Sequence, residues 1–299
     1  MKAKKFLAFA LVAVLALGTL GLVGCGGSDE PADESGDETP AGDAAGISGS
    51  ITVEGSDTMV NLGQALAEVF MDEETGVDVS VAGGGSGVGI ASLINGTVDF
   101  ANSSRAMKDE EKAQAEGNGI EVTEFVVAYD GIAIVVNPSL AVEDLTFEQL
   151  GAIYRGEITN WSEVGGPDLD IVLLSRDTSS GTYAFFLEHV VQQADKEAVY
   201  SADARLLPST QAIVDETIAN EAAIGYVGLG YVVPEINVLK IDGVEAGVEV
   251  VKDGSYNVSR PLFMYAAGTL SEASQAYIDW VQSADGQVVV GDIGFVPTN

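Results

Sequence analysis

The segment 175–182 combines one fixed cation with several hydroxyl groups and a glycine. It follows a β-branched apolar stretch typical of a strand (170–174) and precedes an apolar-periodic stretch typical of a helix (183–191). The first N–H groups of a helix lack partners within it and carry the positive end of its dipole. Such a loop can hold a tetrahedral anion, and the planar guanidinium of Arg176 suits two oxygens at once. Serine and threonine are also ordinary helix caps, so this loop alone leaves both interpretations open.

Two further loops have the same strand–loop–helix arrangement. Segment 55–59 carries a serine, an aspartate and a threonine, and segment 82–89 is rich in glycine. The glycine loop lacks the Gly-Lys-Ser/Thr of a nucleotide P-loop and also lacks the Gly-x-Gly-x-x-Gly of a dinucleotide site. Its glycines would let backbone N–H groups approach a ligand closely. The alternative is a tight turn that binds nothing.

The order of apolar segments predicts an α/β protein with parallel strands and binding loops at the carboxyl ends of those strands. A long strand at 124–138 could pass from one lobe to another, and segment 260–265 could return the chain. We also expect a β-hairpin at 237–252, around Asp242-Gly243, and a helix at 271–281 near the end of the sequence.

The first residues are typical of a secretion signal. Three lysines precede an almost wholly apolar stretch (6–23), and the sequence Leu-Val-Gly-Cys that ends at Cys25 matches a bacterial lipobox. An ordinary transmembrane anchor is the alternative. Cys25 is the only cysteine of the chain, which excludes an intramolecular disulfide. We therefore predict a lipoprotein signal peptide (1–24) and a lipid on Cys25 that holds the protein at the extracytoplasmic face of the cell membrane.

The composition after the cysteine predicts a tether followed by two lobes. Segment 25–46 mixes acidic residues with Gly, Ser, Pro and Ala, so we expect it to be disordered. The remaining ~250 residues exceed one compact core. We expect one lobe from 47–130 plus 259–299 and the other from 131–258.

The net charge of −33 limits the choice of partners. Such a surface argues against nucleic acid, for which basic patches supply most of the affinity. It also repels small anions at long range. A closed pocket can still bind an anion, because donors within a few ångströms decide the affinity there.

Taken together, the motifs resemble a known family. They are Gly-Ser-Asp-Thr-Met at 55–59, Gly-Gly-Gly-Ser-Gly at 83–87, Leu-Thr-x-Glu-Gln-Leu at 145–150 with Asn160-Trp161, and Arg-x-x-x-Ser-Gly-Thr at 176–182. Their order and spacing resemble the phosphate-binding protein of the high-affinity phosphate ABC transporter. The resemblance implies a type II periplasmic-binding-protein fold with two α/β lobes, a ligand cleft and two hinge crossings. It also implies a monomer without cofactor or metal that binds inorganic phosphate and delivers it to membrane permease subunits.

The resemblance also implies a set of ligand-binding residues. They are Ser56, Asp57, Thr58, Met59, Ser86, Gly87, Ser104, Arg105, Arg176, Ser180, Gly181 and Thr182. Many members carry an aspartate where this chain has Ser104, and a carboxylate there would accept the proton of phosphate and repel sulfate. We therefore hypothesise that Asp57 is the acceptor and that Arg105 adds a positive group. The alternative is that Asp57 only caps a helix.

Three other functions remain to be weighed. An enzyme that uses Ser180 would need a base, but His189, the only histidine, lies about 13 Å further along the predicted helix. A single histidine also excludes a His-rich metal site. A binder of another tetrahedral oxyanion (sulfate, molybdate or tungstate) is the main alternative function. A structural acidic lipoprotein is the third, and the three anion loops argue against it.

Overall fold

The computed structural model describes residues 46–299. The predicted signal peptide, Cys25 and nearly all of the acidic tether lie outside the described residues. Within residues 46–299, none of the helices has the length and apolar character needed to cross a bilayer.

Strands and helices alternate along most of the described chain. The strands are β1 (Gly49–Gly55), β2 (Val77–Ala82), β3 (Phe100–Ser103), β4 (Val122–Val136), β5 (Asp144–Leu145), β6 (Val172–Arg176), β7 (Arg205–Leu207), β8 (Ala223–Gly228), β9 (Asn237–Ile241) and β10 (Ser259–Ala267). The helices are α1 (Val60–Glu73), α2 (Ser86–Ile94), α3 (Asp109–Gly117), α4 (Phe147–Arg155), α5 (Gly181–Phe186), α6 (Thr210–Ala219), α7 (Val248–Lys252), α8 (Glu272–Val281) and α9 (Ala284–Asp292).

The strands lie in the order β2-β1-β3-β10-β4-β8-β6-β7, and β5 and β9 pair off this path. Strand β4 lies in the middle of this order and pairs with a different neighbour along each half of its length. Its first part pairs antiparallel with β10, and its last five residues pair antiparallel with β8. This long strand therefore connects two groups of strands, and its passage from one lobe to another stays a prediction.

The buried apolar residues form separate clusters on either side of that passage. Two clusters contain only residues up to 128 and from 262 onward, and they pack α1, α2, α8 and α9 on the strands around β1. Two others contain only residues between 132 and 258, packed around β8. The lobe boundaries given above remain a prediction, because packing clusters alone do not show that the two groups of strands move as separate lobes.

Parallel pairing brings the predicted binding loops to common sheet edges. Strand β1 runs parallel to β2 and β3, and β6 runs parallel to β7 and β8. The loops that follow β1, β2 and β3 therefore leave the same edge, as expected for an α/β sheet. The loop after β6 leaves the edge of the second group.

Local signals explain several of the helices. Thr146 caps α4, because its hydroxyl accepts the N–H of Gln149 while the Gln149 side chain accepts the N–H of Thr146. A left-handed Gly156 then ends that helix. The helix at 183–191 divides into α5 and a wider π-type turn, Leu187–Val191.

One predicted element is wrong. Segment 237–252 does not form a hairpin, because β9 pairs with β4 and β5 and the second half contains the helix α7. The turn at Asp242-Gly243 is present, closed by a bridge between Ile241 and Val244. The turn signal was therefore correct, but the tertiary pairing of β9 left no strand partner for the residues after it.

Candidate functional site

Two threonine hydroxyls from distant loops meet at the centre of the site. Thr58 follows β1, Thr182 lies in the first turn of α5, and their Oγ1 atoms are 2.7 Å apart. Both side chains are buried. The loops after β1 and after β6 therefore converge, as the resemblance implied.

Three serine hydroxyls lie together beside this contact. Ser56 Oγ donates to Ser104 Oγ at 2.8 Å, and the Ser86 and Ser104 hydroxyls are 3.4 Å apart. The N–H of Ser104 donates to Ser86 Oγ at 3.1 Å. A Cβ built on Gly181 would lie 2.7 Å from Ser104 Oγ, so the start of α5 adjoins the same serines.

Ser180 caps α5 as its sequence position suggests. Its hydroxyl accepts the N–H groups of Thr182 and Tyr183 at 3.2 and 3.3 Å. Both the anion-loop and the helix-cap interpretations of this segment predicted such a serine. The cap therefore does not decide between the two interpretations, but the Gly181 backbone that follows it lies beside the serine cluster.

Asp57 joins the loops through three contacts. Its Oδ2 accepts a hydrogen bond from Nη2 of Arg176 at 2.7 Å, and its Oδ1 accepts the N–H of Gly84 at 3.2 Å. Its backbone carbonyl accepts the phenol of Tyr231 at 2.7 Å. Burial raises the pKa of Tyr231 to about 12, so this phenol stays protonated and can donate at neutral pH.

Arg176 has fewer free donors than the sequence suggested. Its N–H groups also bond the Leu207 carbonyl, the Thr210 hydroxyl and the Pro208 carbonyl at 3.2, 2.9 and 3.0 Å. Four of the five guanidinium N–H groups thus have acceptors among the described residues. The predicted clasp on two ligand oxygens is therefore wrong for this arrangement, since one N–H remains.

The glycine loop closely approaches the loop after β6, and its predicted approach to a ligand stays a prediction. Gly85 has a φ of 94°, and a Cβ built there would lie 2.7 Å from the Ser179 carbonyl oxygen. The N–H of Gly87 donates to that carbonyl at 3.0 Å. The N–H of Met59 donates to the Ser56 carbonyl at 2.9 Å. Two of the predicted backbone donors, at Met59 and Gly87, are therefore used within the protein.

Arg105 is held by acceptors close to it in the sequence. Its guanidinium forms two hydrogen bonds with the Glu111 carboxylate, at 2.6 and 2.8 Å, and a third with the Ala106 carbonyl. Burial raises the pKa of Glu111, but the Arg105 and Lys108 hydrogen bonds and charges outweigh this effect and leave the pKa below its usual value. The charge of Arg105 is thus balanced locally, and the hypothesis that it adds a positive group to the site gains no support here.

A second ion pair, fully buried, adjoins the site and was not predicted from the sequence. Nη2 of Arg260, in β10, donates to Oδ2 of Asp130, in β4, at 3.0 Å. Burial raises the pKa of Asp130, while Arg260 and the Leu229 N–H act against that rise. Burial also lowers the pKa of Arg260, opposed by Asp130. The available signal was an aspartate before the apolar second half of β4 and an arginine at the start of β10, since buried charges need partners.

The two ion pairs, Asp57–Arg176 and Asp130–Arg260, have no net formal charge together. An oxyanion in this site would therefore depend on hydroxyl and backbone donors more than on excess positive charge. Within residues 46–299, no group of three or more His, Cys, Asp or Glu side chains could hold a metal ion.

Comparison with known proteins gives the family. The family model of the PBP superfamily domain matches residues 39–285. The phosphate-binding protein PstS of Bacillus subtilis is 32% identical over 275 residues, which cover 91% of this chain and 88% of that protein. This chain belongs to the phosphate-binding protein family.

Solved structures agree in fold with this family. A phosphate ABC transporter substrate-binding protein from Clostridium perfringens, with bound phosphate, is 33% identical, with a TM-score of 0.78. That match covers 84% of this chain and all of the other (100%). An ABC-type phosphate transport receptor from Vibrio cholerae is 28% identical over 83% of this chain and 100% of its own, with a TM-score of 0.67. The predicted type II periplasmic-binding-protein fold is confirmed.

Proposed function

We propose that this protein captures inorganic phosphate outside the cytoplasm and delivers it to the permease subunits of an ABC transporter. The observation that carries the proposal is the meeting of hydroxyl donors from distant loops, led by the Thr58–Thr182 contact of 2.7 Å. The names of the Bacillus and Clostridium relatives support the same ligand. Because these relatives are binding proteins, the function is substrate binding and not catalysis.

The energetics of a dry anion site favour this arrangement of donors. A bare dianion loses tens of kcal/mol of hydration when it leaves water. Each hydrogen bond to a charged group returns about 1.5–3 kcal/mol. Phosphate therefore needs many donors, and a single loop could not supply them. We propose that the serine and threonine hydroxyls described above, with the remaining N–H of Arg176 and the Gly181 backbone, supply them jointly.

We propose that phosphate favours closure of two lobes, 47–130 plus 259–299 and 131–258. Contacts such as Thr58–Thr182 and Asp57–Arg176 join the two ranges and would break if the lobes separated. The crossing strands β4 and β10 would then act as the hinge. A permease that recognises the closed form would accept only the loaded protein. Small-angle scattering should show a smaller radius of gyration with phosphate, and an unchanged radius would contradict closure.

We propose Asp57 as the acceptor of the phosphate proton. Two donors occupy its carboxylate, Arg176 and Gly84, so lone pairs remain for a ligand hydroxyl. A fixed acceptor can reject a ligand that lacks the matching donor by about 10⁴-fold. Sulfate lacks a proton at neutral pH, which is the basis of the discrimination that we expect.

Calorimetric titration with phosphate, sulfate and arsenate tests the binding proposal. We expect one phosphate per chain, with arsenate competing because it has the same shape and protonation, and with sulfate binding much more weakly. Tighter binding of sulfate or molybdate would instead support a binder of another oxyanion. No binding of any of these anions would overturn the proposal.

We further propose that Cys25 carries a lipid after removal of residues 1–24, and that 25–46 tethers a monomer to the extracytoplasmic face of the cell membrane. The lipobox sequence and the position of the only cysteine support this proposal. In the producing cell, Cys25→Ser should move the protein from the membrane fraction to the soluble extracytoplasmic fraction. A wild-type protein without lipid by mass spectrometry would contradict it, and sedimentation should give a monomer.

A further inference from the structure

The ion pair between Asp130 and Arg260 is held in place by the sheet itself. The two residues are register partners in β4 and β10, the strands that connect the two groups. Oδ2 of Asp130 accepts from Nη2 and Nε of Arg260 at 3.0 and 3.3 Å, and Oδ1 accepts the Leu229 N–H at 3.0 Å. Both residues are buried, so the guanidinium has one well-defined position.

From that position, Arg260 reaches two of the loops that form the site. Nη1 donates to the Ser104 carbonyl at 3.0 Å, and Nη2 donates to Thr182 Oγ1 at 3.0 Å. Ser104 follows β3 in the first group of strands, whereas Thr182 follows β6 in the second. One guanidinium on a crossing strand therefore contacts both sides of the proposed cleft.

The contact with Thr182 determines what its hydroxyl can do. Arginine has donors and no acceptor, so the Thr182 oxygen must accept this hydrogen bond. The hydroxyl hydrogen must then point elsewhere. Thr58 Oγ1, 2.7 Å away, marks the side towards which it can donate. An oxyanion oxygen that entered between the two threonines could receive this hydrogen in place of Thr58.

Asp130 also lies close to Thr58 across a single glycine. A Cβ built on Gly228 would lie 2.9 and 3.0 Å from the Asp130 carboxylate oxygens and 2.8 Å from Thr58 Cγ2. Any side chain at 228 would therefore displace the carboxylate or the threonine. The ion pair and the two threonines form one packed unit.

We propose that Arg260, held by Asp130, is a positioning residue for the oxyanion site and acts by fixing the Thr182 hydroxyl as a donor. This inference rests on the proposed function. The competing explanation is that the pair only stabilises the crossing strands.

A double-mutant cycle separates these explanations. Phosphate affinity is measured by calorimetry for the wild type, Arg260→Gln, Thr182→Val and the double variant. Each single change should weaken binding about tenfold or more, which corresponds to one hydrogen bond to a charged group. The double variant should be weaker than the worse single variant by no more than about threefold, because both changes remove the same donor. Losses that multiply would overturn the inference.

The double-mutant cycle is also measured in a variant that lacks both charges of the ion pair. Arg260→Gln leaves the charge of Asp130 buried without its partner, which can unfold the protein. The cycle is therefore repeated with Asp130→Asn/Arg260→Gln, which removes both charges, and the same non-additivity with Thr182→Val is expected. Arg260→Lys should recover part of the affinity, since lysine can still donate to Thr182.

An exposed arginine provides the matched control. Arg205 pairs with Glu216 on the surface, and Arg205→Gln should bind phosphate as the wild type does. If the wild type fails to bind phosphate, the proposed function itself is wrong. If the wild type binds and Arg260→Gln binds within about twofold of it, where a lost charged hydrogen bond predicts tenfold, only this inference is wrong.

Discussion

The two ion pairs of the site differ in the structure that holds each one in place. Asp57 and Arg176 lie 119 positions apart at the ends of β1 and β6, and they meet only because two loops converge. Asp130 and Arg260 face each other across the ladder of two adjacent strands. The Asp57 side chain is 13% exposed, whereas the Asp130 side chain is fully buried at 0%. We infer that the sheet holds the strand pair in place, whereas the loop pair depends on the two loops staying together.

Two other ion pairs have more exposed side chains than the Asp130–Arg260 pair. Arg105 and Glu111 are 10% and 17% exposed, and Arg205 and Glu216 are 55% and 37% exposed. Solvent screens exposed charges and weakens such pairs, while loss of one partner in a buried pair leaves an uncompensated charge. Removal of one partner should therefore have effects that decrease from the strands to the surface.

The largest expected effect comes from Asp130→Ala. The variant leaves the Arg260 guanidinium buried without a counter-charge, so the free energy of unfolding should fall by about 3–5 kcal/mol. Urea denaturation followed by circular dichroism measures this change. Asp215→Ala, which removes a carboxylate at an exposed hydrogen bond to Gln211, should stay within about 0.5 kcal/mol of the wild type. Equal losses of unfolding free energy in the two variants would contradict the claim that the buried strand pair contributes more to stability than a surface carboxylate.

Arg176→Lys should have the next largest effect, on binding. Lysine keeps the charge but cannot bond Asp57, Thr210 and the Leu207 carbonyl together, so the loop after β6 loses its orientation. We expect a loss of phosphate affinity of about 100-fold, or ~2.7 kcal/mol. Arg205→Lys serves as the control in the same calorimetric titration. A loss below about threefold would show that Arg176 does not orient the site.

Asp57→Asn tests whether the loop pair also selects the ligand. If Asp57 accepts the phosphate proton, the ratio of phosphate to sulfate affinity should fall by about tenfold or more, because an amide no longer repels sulfate. The ratio is measured by competition titration at neutral pH, where phosphate carries a proton. An unchanged ratio would refute the assignment, and Asp57 would then only hold Arg176.

The smallest expected effect concerns Glu111 and pH. Its pKa is lower in the folded protein than its usual value of ~4.3, so folding favours the ionised form. This contribution is complete above the usual pKa and is lost as the pH falls through the lower folded-state pKa. Glu111→Gln should therefore lose less stability than the wild type between about pH 5 and 3, measured by urea denaturation. Parallel pH profiles for the two proteins would contradict this origin of the acid sensitivity.

Much of the fold could be predicted because its signals are local. The alternation of apolar strands with capped helices placed β1, β2 and β6 together with the loops that follow them. The Thr146 cap is readable from four consecutive residues. The site residues that lie in those loops, such as Thr58 and Thr182, could be found for the same reason.

The parts that were missed depend on pairing between distant strands. The meeting of Asp130 with Arg260 requires the register of β4 on β10, which shifts at an irregularity between Leu262 and Phe263. No local pattern encodes that register. The free donors of Arg176 were also overestimated, because its acceptors at Leu207 and Pro208 are backbone carbonyls, which a residue pattern does not reveal.

The most direct test removes one hydroxyl from each side of the proposed cleft. Calorimetric titration with phosphate compares the wild type with Thr58→Val and with Thr182→Val, which keep side-chain volume and lose the donor. We predict one phosphate per wild-type chain and a loss of about tenfold or more in both variants. Wild-type affinity in either variant, or no binding by the wild type, would contradict a single oxyanion held between the two loops.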